Sequence, residues 1–187
     1  MILIIEGVDL VGKSSAIEKI AKHYNSGFIL KNSFKPKTKD NKEIYEQYIT
    51  ILRLIEGYET QNLIILDRFY PSQLIYSVKR GRDEMVDLYN PPTNTDEERP
   101  DLTSMPEYVE ELLKSKNAKL ILLTVTPDEL RRRYENRGEE HLTIGEVIDF
   151  KDRYDTFFEK CSLNRIRVDT MNEDWFETVK LFIDEDA

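Results

Sequence analysis

Short apolar runs alternate with amphipathic stretches along this chain, and the alternation predicts most of its elements. Residues 2–5 are apolar at every position and lead into Glu6-Gly7, which suits a strand buried on both faces. Residues 28–30, 63–66, 119–125 and 166–168 are further strand candidates, the last of them weakly marked. Between these runs the spacing changes to i, i+3, i+4, i+7. Ile17, Ile20, Ala21 and Tyr24 predict one helix, and Ile44, Tyr48, Ile51, Leu52 and Ile55 predict a second that stops near Gly57. Ser104 and Glu107 form a capping box ahead of Tyr108, Val109, Leu112 and Leu113. Thr126, Pro127 and Glu129 supply a cap, a first-turn proline and a capping-box glutamate in a row. Thr143 and Glu146 repeat that spacing before Val147, Ile148, Phe150, Tyr154, Phe157 and Phe158, and Trp175, Phe176, Val179, Phe182 and Ile183 predict a closing helix.

Strands alternating with helices mean βαβ units and a mostly parallel sheet covered on both faces, so the pattern predicts a three-layer α/β/α sandwich. Residues 90–103, rich in proline and charge, are expected to form a long surface loop within one domain. No repeat and no Gly/Ser linker divides the 187 residues.

Composition narrows the class. With 40% hydrophobic and 34% charged residues the chain can fill a core and clothe a surface, which excludes a disordered protein. No apolar run approaches the roughly 18 residues of a membrane span, and no basic stretch precedes the run at residues 2–5, so neither an anchor nor a secretion signal is expected. Cys161 is the only cysteine, which points to a reducing, cytoplasmic compartment. The 27 basic against 36 acidic residues give a net charge of −9 and weigh against a nucleic-acid partner.

Candidate chemistry begins at residue 7. Gly7, Val8, Asp9, Leu10, Val11, Gly12, Lys13 and Ser14 match G-x-x-x-x-G-K-[ST] in full, between a predicted strand and a predicted helix. The glycines let successive backbone N–H groups, reaching into Ser15, face one anion, and the helix adds the positive end of its dipole. Lys13 can reach the β- and γ-phosphates of a nucleoside triphosphate, and the Ser14 hydroxyl can ligate Mg²⁺. Glu6 and Asp9 flank the loop; two carboxylates at a polyanion site are better used on a hydroxyl, a proton or a metal. Asp67 and Arg68 follow the third strand, at the end of an open α/β sheet where ligands bind: Asp67 can serve the metal and Arg68 can fork onto a second phosphate. Arg133 and Arg137 lie four apart on one helix face, with Arg131 and Arg132 toward solvent, ahead of Gly138, Glu139, Glu140 and His141, a polar segment able to close as a lid.

Together these residues resemble the thymidylate kinase family of P-loop nucleoside monophosphate kinases. Ile5-Glu6-Gly7-Val8-Asp9 is similar to its I-E-G-x-D opening, and Asp67-Arg68-Phe69 with Ser72 and Tyr76 is similar to its D-R-[YFH]-x-x-S-x-x-x-Y signature. Pro127, Arg133, Arg137 and Gly138 sit at the spacing of its approach to the lid. The resemblance covers most of residues 1–160 and implies a P-loop kinase with a five-stranded, mostly parallel sheet; with no linker in the chain, 1–187 is expected to be a single such domain with a short lid around 138–146. It also implies ATP and Mg²⁺ as cofactors, a deoxynucleoside monophosphate as acceptor and a homodimer. By position, Asp9 would contact the acceptor's sugar hydroxyl and Arg68 its 5′-phosphate, while Lys13, Arg133 and Arg137 would serve the donor phosphates or adenine. Phe34, Tyr45, Tyr48, Phe69 and Tyr76 can stack on a base.

The chain departs from that pattern where the family's R-E-P-type segment would follow strand two; here residues 31–36 read Lys-Asn-Ser-Phe-Lys-Pro. Leu10, Val11 and residues 138–144 contain no arginine, which leaves the transition-state cation among Lys13, Arg133 and Arg137. Deoxynucleoside kinases compete: Thr126-Pro127-Asp128, the two arginines and Glu139-Glu140 look like theirs, and Tyr45, Tyr48 and Arg53 could form their base-reading helix. A hydroxyl acceptor would need a general base, for which Glu6 is the candidate. A nucleic-acid or modified-base kinase and a non-catalytic nucleotide switch are the further alternatives.

Overall fold

The computed structural model describes residues 1–26, 28–31, 41–56, 63–77, 105–137 and 142–185. Five strands, β1 (Ile2–Glu6), β2 (Phe28–Lys31), β3 (Ile64–Asp67), β4 (Lys119–Thr124) and β5 (Asn164–Asp169), form one sheet in the order β2-β3-β1-β4-β5. Every pairing is parallel. All five residues of β1 are buried, as its unbroken apolar run predicts for the middle of a sheet covered on both faces.

Seven helices are described: α1 (Lys13–His23), α2 (Asn41–Glu56), α3 (Tyr70–Ser77), α4 (Met105–Ser115), α5 (Pro127–Arg137), α6 (Ile144–Lys160) and α7 (Trp175–Asp184). They flank the sheet on both faces and complete the three-layer α/β/α fold. The Tyr24 hydroxyl ties α1 to α7, donating to Asp184 Oδ1 at 3.0 Å. Lys119 opens β4 with no exposed surface, which a lone lysine would not tolerate. Its ammonium donates to the Phe182 and Ile183 carbonyls at 2.8 and 3.2 Å, so it satisfies the C-terminal end of α7.

The elements differ from expectation in instructive places. Strand β3 runs through Asp67, and α3 starts three residues later, where no helix was expected; a helix of 8 residues with Pro71 in its first turn leaves little periodicity to detect. Strand β5 is 6 residues long because edge positions Asn164, Arg165 and Arg167 are strand residues without being apolar. At α5 only half of the capping box forms: the Glu129 N–H donates to Thr126 Oγ1 at 3.2 Å, but the Glu129 carboxylate is taken by Arg132 and Arg133. At α6 the Thr143–Glu146 box is complete. Gly57, the loop at 90–103 and Ser104 lie outside the described residues. No described helix is long and apolar enough to cross a membrane.

Parallel strands place all their carboxyl ends on one side. Ile5 stands beside Asp67, and Glu6 beside Leu122, so the residues that follow β1, β3 and β4 open onto one crevice where the strand order reverses.

Candidate active site

One wall of the crevice is backbone. Between β1 and α1 the chain adopts left-handed φ values of 141° at Gly7, 73° at Leu10 and 91° at Gly12. A Cβ on Gly7 would run into the Leu123 carbonyl oxygen, so glycine there lets the loop lie against β4. Gly12 is the N-cap of α1. Two outside groups hold the loop: Thr170 Oγ1 donates to the Val11 carbonyl at 2.9 Å and Arg133 Nη1 to the Leu10 carbonyl at 2.8 Å. The Lys13 ammonium curls over the loop, donating to the Gly7 and Val8 carbonyls at 2.8 and 2.6 Å, with Asp9 Oδ1 at 3.8 Å. Burial, aided by the Arg68 charge, lowers the Lys13 pKa to about 7 despite the neighbouring carboxylates.

The facing wall is a side-chain assembly around Arg68. This residue sits at a φ of 68°, a costly value for a non-glycine that its surroundings must hold in place. The Arg68 N–H donates to the Ile5 carbonyl at 3.0 Å, and the next N–H, of Phe69, donates to Glu6 Oε1 at 2.6 Å. The guanidinium pairs with Asp9 through Nη2. Its Nη1 faces three hydroxyls, Tyr76 and Tyr154 at 3.2 Å and Ser72 at 3.4 Å, and the group lies over the Tyr76 ring. Beneath it Glu6 is 1% exposed. Glu6 Oε2 accepts from Ser72 Oγ at 2.7 Å and Tyr154 OH at 3.0 Å. Burial raises the Glu6 pKa, opposed by the Arg68 charge and by these donors.

Between the walls lies a cleft of about 530 Å³, lined by Asp9, Leu10, Gly12, Lys13, Ser14, Ser15, Asp67, Arg68, Arg133, Asn136 and Arg137. The structure thus brings ten of the residues singled out from the sequence onto one cleft, and both expected metal ligands, Ser14 and Asp67, are among them. Arg133 and Arg137 do share a face of α5 toward it, while Arg131 and Arg132 are exposed and bonded to Asp128 and Glu129. Arg133 is already committed: Nε donates to Glu129 Oε1 at 2.7 Å and Nη2 approaches Met171 Sδ at 3.1 Å, besides the bond to Leu10. Arg137 is exposed at the rim.

Other expected contacts stand elsewhere. Gly7, Val8 and Val11 shape the loop, the two valines buried below it. Glu6 lies under the cleft and not on its wall; Ser72 and Tyr76 back Arg68. Phe69 and Tyr48 are buried edge to face with centroids 4.8 Å apart, so the core holds them, and Arg53 is exposed on α2. Phe34 and residues 138–141 of the expected lid lie outside the described residues, as does the Tyr45 side chain. Sequence reasoning missed Asn136, which carries no motif signal. It also read Tyr154 as apolar core; a tyrosine between Phe150 and Phe157 on a buried stripe was the available signal, since a buried phenol needs a partner.

No family model matches the chain. The SPbeta prophage-derived uncharacterized protein YorR of Bacillus subtilis strain 168 is 23% identical over 170 residues, spanning 90% of this chain and 88% of that protein. The crystal structure of YorR in complex with phosphorylated GDP aligns with a TM-score of 0.71, covering 99% of this chain and 96% of YorR. Thymidylate kinase from Candida albicans aligns at a TM-score of 0.57 and 17% identity, over 98% of this chain and 90% of that one. Deoxyadenosine kinase from M. mycoides, with dCMP and a flexible dCDP bound, aligns at 0.55 and 16%, over 99% and 100%. These likenesses establish the fold: the chain has the three-layer α/β/α architecture of the aligned structures.

Proposed function

We propose that this protein is an ATP- and Mg²⁺-dependent nucleoside monophosphate kinase of the thymidylate kinase type, phosphorylating dTMP or a related deoxypyrimidine monophosphate to the diphosphate. One observation carries the reading. The Asp9 carboxylate lies between two cations, paired with Arg68 on one side and 3.8 Å from Lys13 on the other. Lys13 belongs to a loop shaped for donor phosphates, and Arg68 offers a second anion site across the same cleft. Two anion sites facing each other suit transfer between two phosphate-bearing nucleotides better than transfer to a neutral hydroxyl.

The placement of Glu6 supports the same acceptor. Both of its oxygens are engaged by donors and it is 1% exposed, a poor position for taking a proton from a nucleoside hydroxyl. A monophosphate brings its own nucleophile, because its second ionisation falls near pH 6. Catalysis then consists of in-line positioning and cationic stabilisation of the transferring group. Lys13 holds the donor phosphates and Arg137, on the rim, meets charge as it develops. Arg133 fixes the loop through Leu10 while its edge lines the donor side. Asp9 is placed to test the sugar hydroxyl. Ser14 and Asp67 offer a hydroxyl and a carboxylate on one cleft, the hard oxygen ligands that suit Mg²⁺ shared with phosphate; the ion would neutralise donor charge. Residues 1–187 form one domain in this reading, with the lid around 138–146, acting in the cytoplasm as a homodimer on small nucleotides. That the three aligned structures are a thymidylate kinase, a deoxyadenosine kinase and YorR with phosphorylated GDP is in keeping with phosphoryl transfer among nucleosides and nucleotides in general, and the choice of a monophosphate rests on the site itself.

The test is steady-state transfer from ATP with Mg²⁺ to a panel of nucleoside monophosphates, their nucleosides and a DNA oligomer. Diphosphate formed from dTMP or another deoxypyrimidine monophosphate is expected; turnover with the oligomer alone would overturn the reading.

A further inference from the structure

Helix α6 sends one polar atom into the site: the Tyr154 hydroxyl, on a residue 1% exposed. It lies 3.0 Å from Glu6 Oε2, 2.7 Å from Ser72 Oγ and 3.2 Å from Arg68 Nη1. Burial, with the Glu6 charge adding to it, raises the Tyr154 pKa well above the ordinary phenol value, so the hydroxyl keeps its proton.

The proton inventory then sets a direction. A phenol has one proton to donate, and the Glu6 carboxylate can only accept. Tyr154 therefore turns its proton toward Glu6 or toward the Ser72 hydroxyl that donates to Glu6, and in either arrangement its lone pairs face Arg68, which donates to it. Ser72 likewise accepts from Arg68 at 3.4 Å, and the two hydroxyl protons of Ser72 and Tyr154 are divided between Glu6 and the 2.7 Å contact joining the two hydroxyls, with at least one of them on Glu6. Glu6 thus orients hydroxyl acceptors onto one edge of a guanidinium. With Nη1 so occupied, the opposite edge, already paired with Asp9, is the one presented to the cleft.

From this geometry we infer that Tyr154 is a positioning residue: through Arg68 it sets the plane of the guanidinium that receives the acceptor's phosphate, and hence the affinity for that acceptor. The inference rests on the monophosphate reading above for its kinetic consequence, but its structural half stands on Arg68 alone. A purely packing role would be filled equally well by phenylalanine.

Tyr154→Phe keeps the ring and deletes the hydroxyl. Its acceptor KM should rise about tenfold, as expected for one lost bond to a charged group, with KM for ATP within about twofold of wild type. In an Arg68→Ala background the same substitution should add nothing, because the group it positions is gone. Guanidinium NMR of Arg68 in the full chain without nucleotide should show faster rotation about its Cζ–N bonds in Tyr154→Phe. An unchanged acceptor KM, or an equal rise in the Arg68→Ala background, overturns the inference. If the wild type phosphorylates no nucleoside monophosphate, the functional reading fails separately, and the NMR decides: faster Arg68 rotation upholds the positioning role and unchanged rotation removes it. Ser72→Ala, which deletes the sibling acceptor, carries the same measurements if Tyr154→Phe does not fold.

Discussion

In the proposed reading, consecutive residues from Gly7 to Ser15 and the first turn of one helix make the donor side of the cleft; on the acceptor side, one guanidinium is held by Asp9 of that same loop and by hydroxyls from α3 and α6. The first wall is backbone whose shape depends on glycine at two positions and on a close approach to β4. The second is side chains whose hydroxyls are oriented by a buried carboxylate. A backbone cradle recognises what every nucleoside triphosphate shares, its phosphates. A side-chain assembly can be retuned one residue at a time, and so is the natural place for acceptor preference to reside. The contrast also predicts how each wall fails. Damage to the donor wall removes chemistry, and damage to the acceptor wall removes affinity.

The largest effect is expected at Lys13. Lys13→Ala should lower kcat by about a thousandfold or more while the melting temperature stays close to wild type, since the ammonium faces the loop and not the core. A variant retaining more than about a tenth of wild-type kcat would mean that the donor wall is assigned to the wrong residues. Next comes Arg68→Ala, which should raise the acceptor KM about a hundredfold with a smaller change in KM for ATP. Equal changes in both would erase the distinction between the walls. Arg137→Ala should lower kcat some tens of times more than it changes the acceptor KM, if the rim arginine meets charge only in transit. A pure change in KM for ATP would move Arg137 to ground-state donor binding.

A subtler difference lies in protonation. The Lys13 pKa is lowered to about 7 from 10.5, chiefly by burial, so above neutral pH the unliganded lysine is largely neutral. A polyanion favours the ammonium, so donor binding should take up a proton between pH 7 and 10, and ATP affinity should weaken as pH rises through that window. The fold itself shows the opposite trend: the unfolded chain binds more protons there, so the stability of the unliganded protein rises with pH over the same range. Calorimetry of ATP binding at pH 8 in two buffers of different ionisation enthalpy measures the uptake; none at all would mean that Lys13 is already charged. Smallest and most remote is Thr143→Ala, which breaks the complete capping box of α6 and should cost about 1 kcal/mol of stability by thermal melting.

The same contrast explains what was legible beforehand. The donor wall is contiguous, so its eight-residue pattern placed Lys13, Ser14 and the start of α1 without knowledge of the fold. On the acceptor wall the D-R-F-x-x-S-x-x-x-Y spacing marked Arg68, Ser72 and Tyr76, but not their direction: Ser72 and Tyr76 back the arginine, and Phe69 turns into the core against Tyr48. Tyr154 is 86 residues from Arg68, and nothing local announces a hydroxyl partner so far along the chain. Glu6 reads as a candidate base because a carboxylate beside a phosphate loop is unusual; its three donors, the Phe69 N–H, Ser72 and Tyr154, reach it from distant parts of the chain, which only the tertiary fold brings together. The sheet was legible because β1, β3 and β4 each carry a run of consecutive apolar residues, whereas the edge strand β5 reads Asn-Arg-Ile-Arg-Val-Asp and shows only Ile166 and Val168 as apolar marks.

The central claim is that Arg68 receives a phosphate and not a hydroxyl. The most direct measurement is the ratio of kcat/KM for dTMP to that for thymidine, under identical ATP and Mg²⁺. Arg68 keeps Asp9 and its hydroxyl partners in the absence of phosphate, so the discrimination comes from charge-assisted bonds that only a phosphate-bearing acceptor can add, and sites built to bind one charged substrate group discriminate by several orders of magnitude. The account predicts a ratio of at least about a thousand, falling by about a hundredfold in Arg68→Ala. A ratio below one in the wild type would contradict it and make the protein a nucleoside kinase.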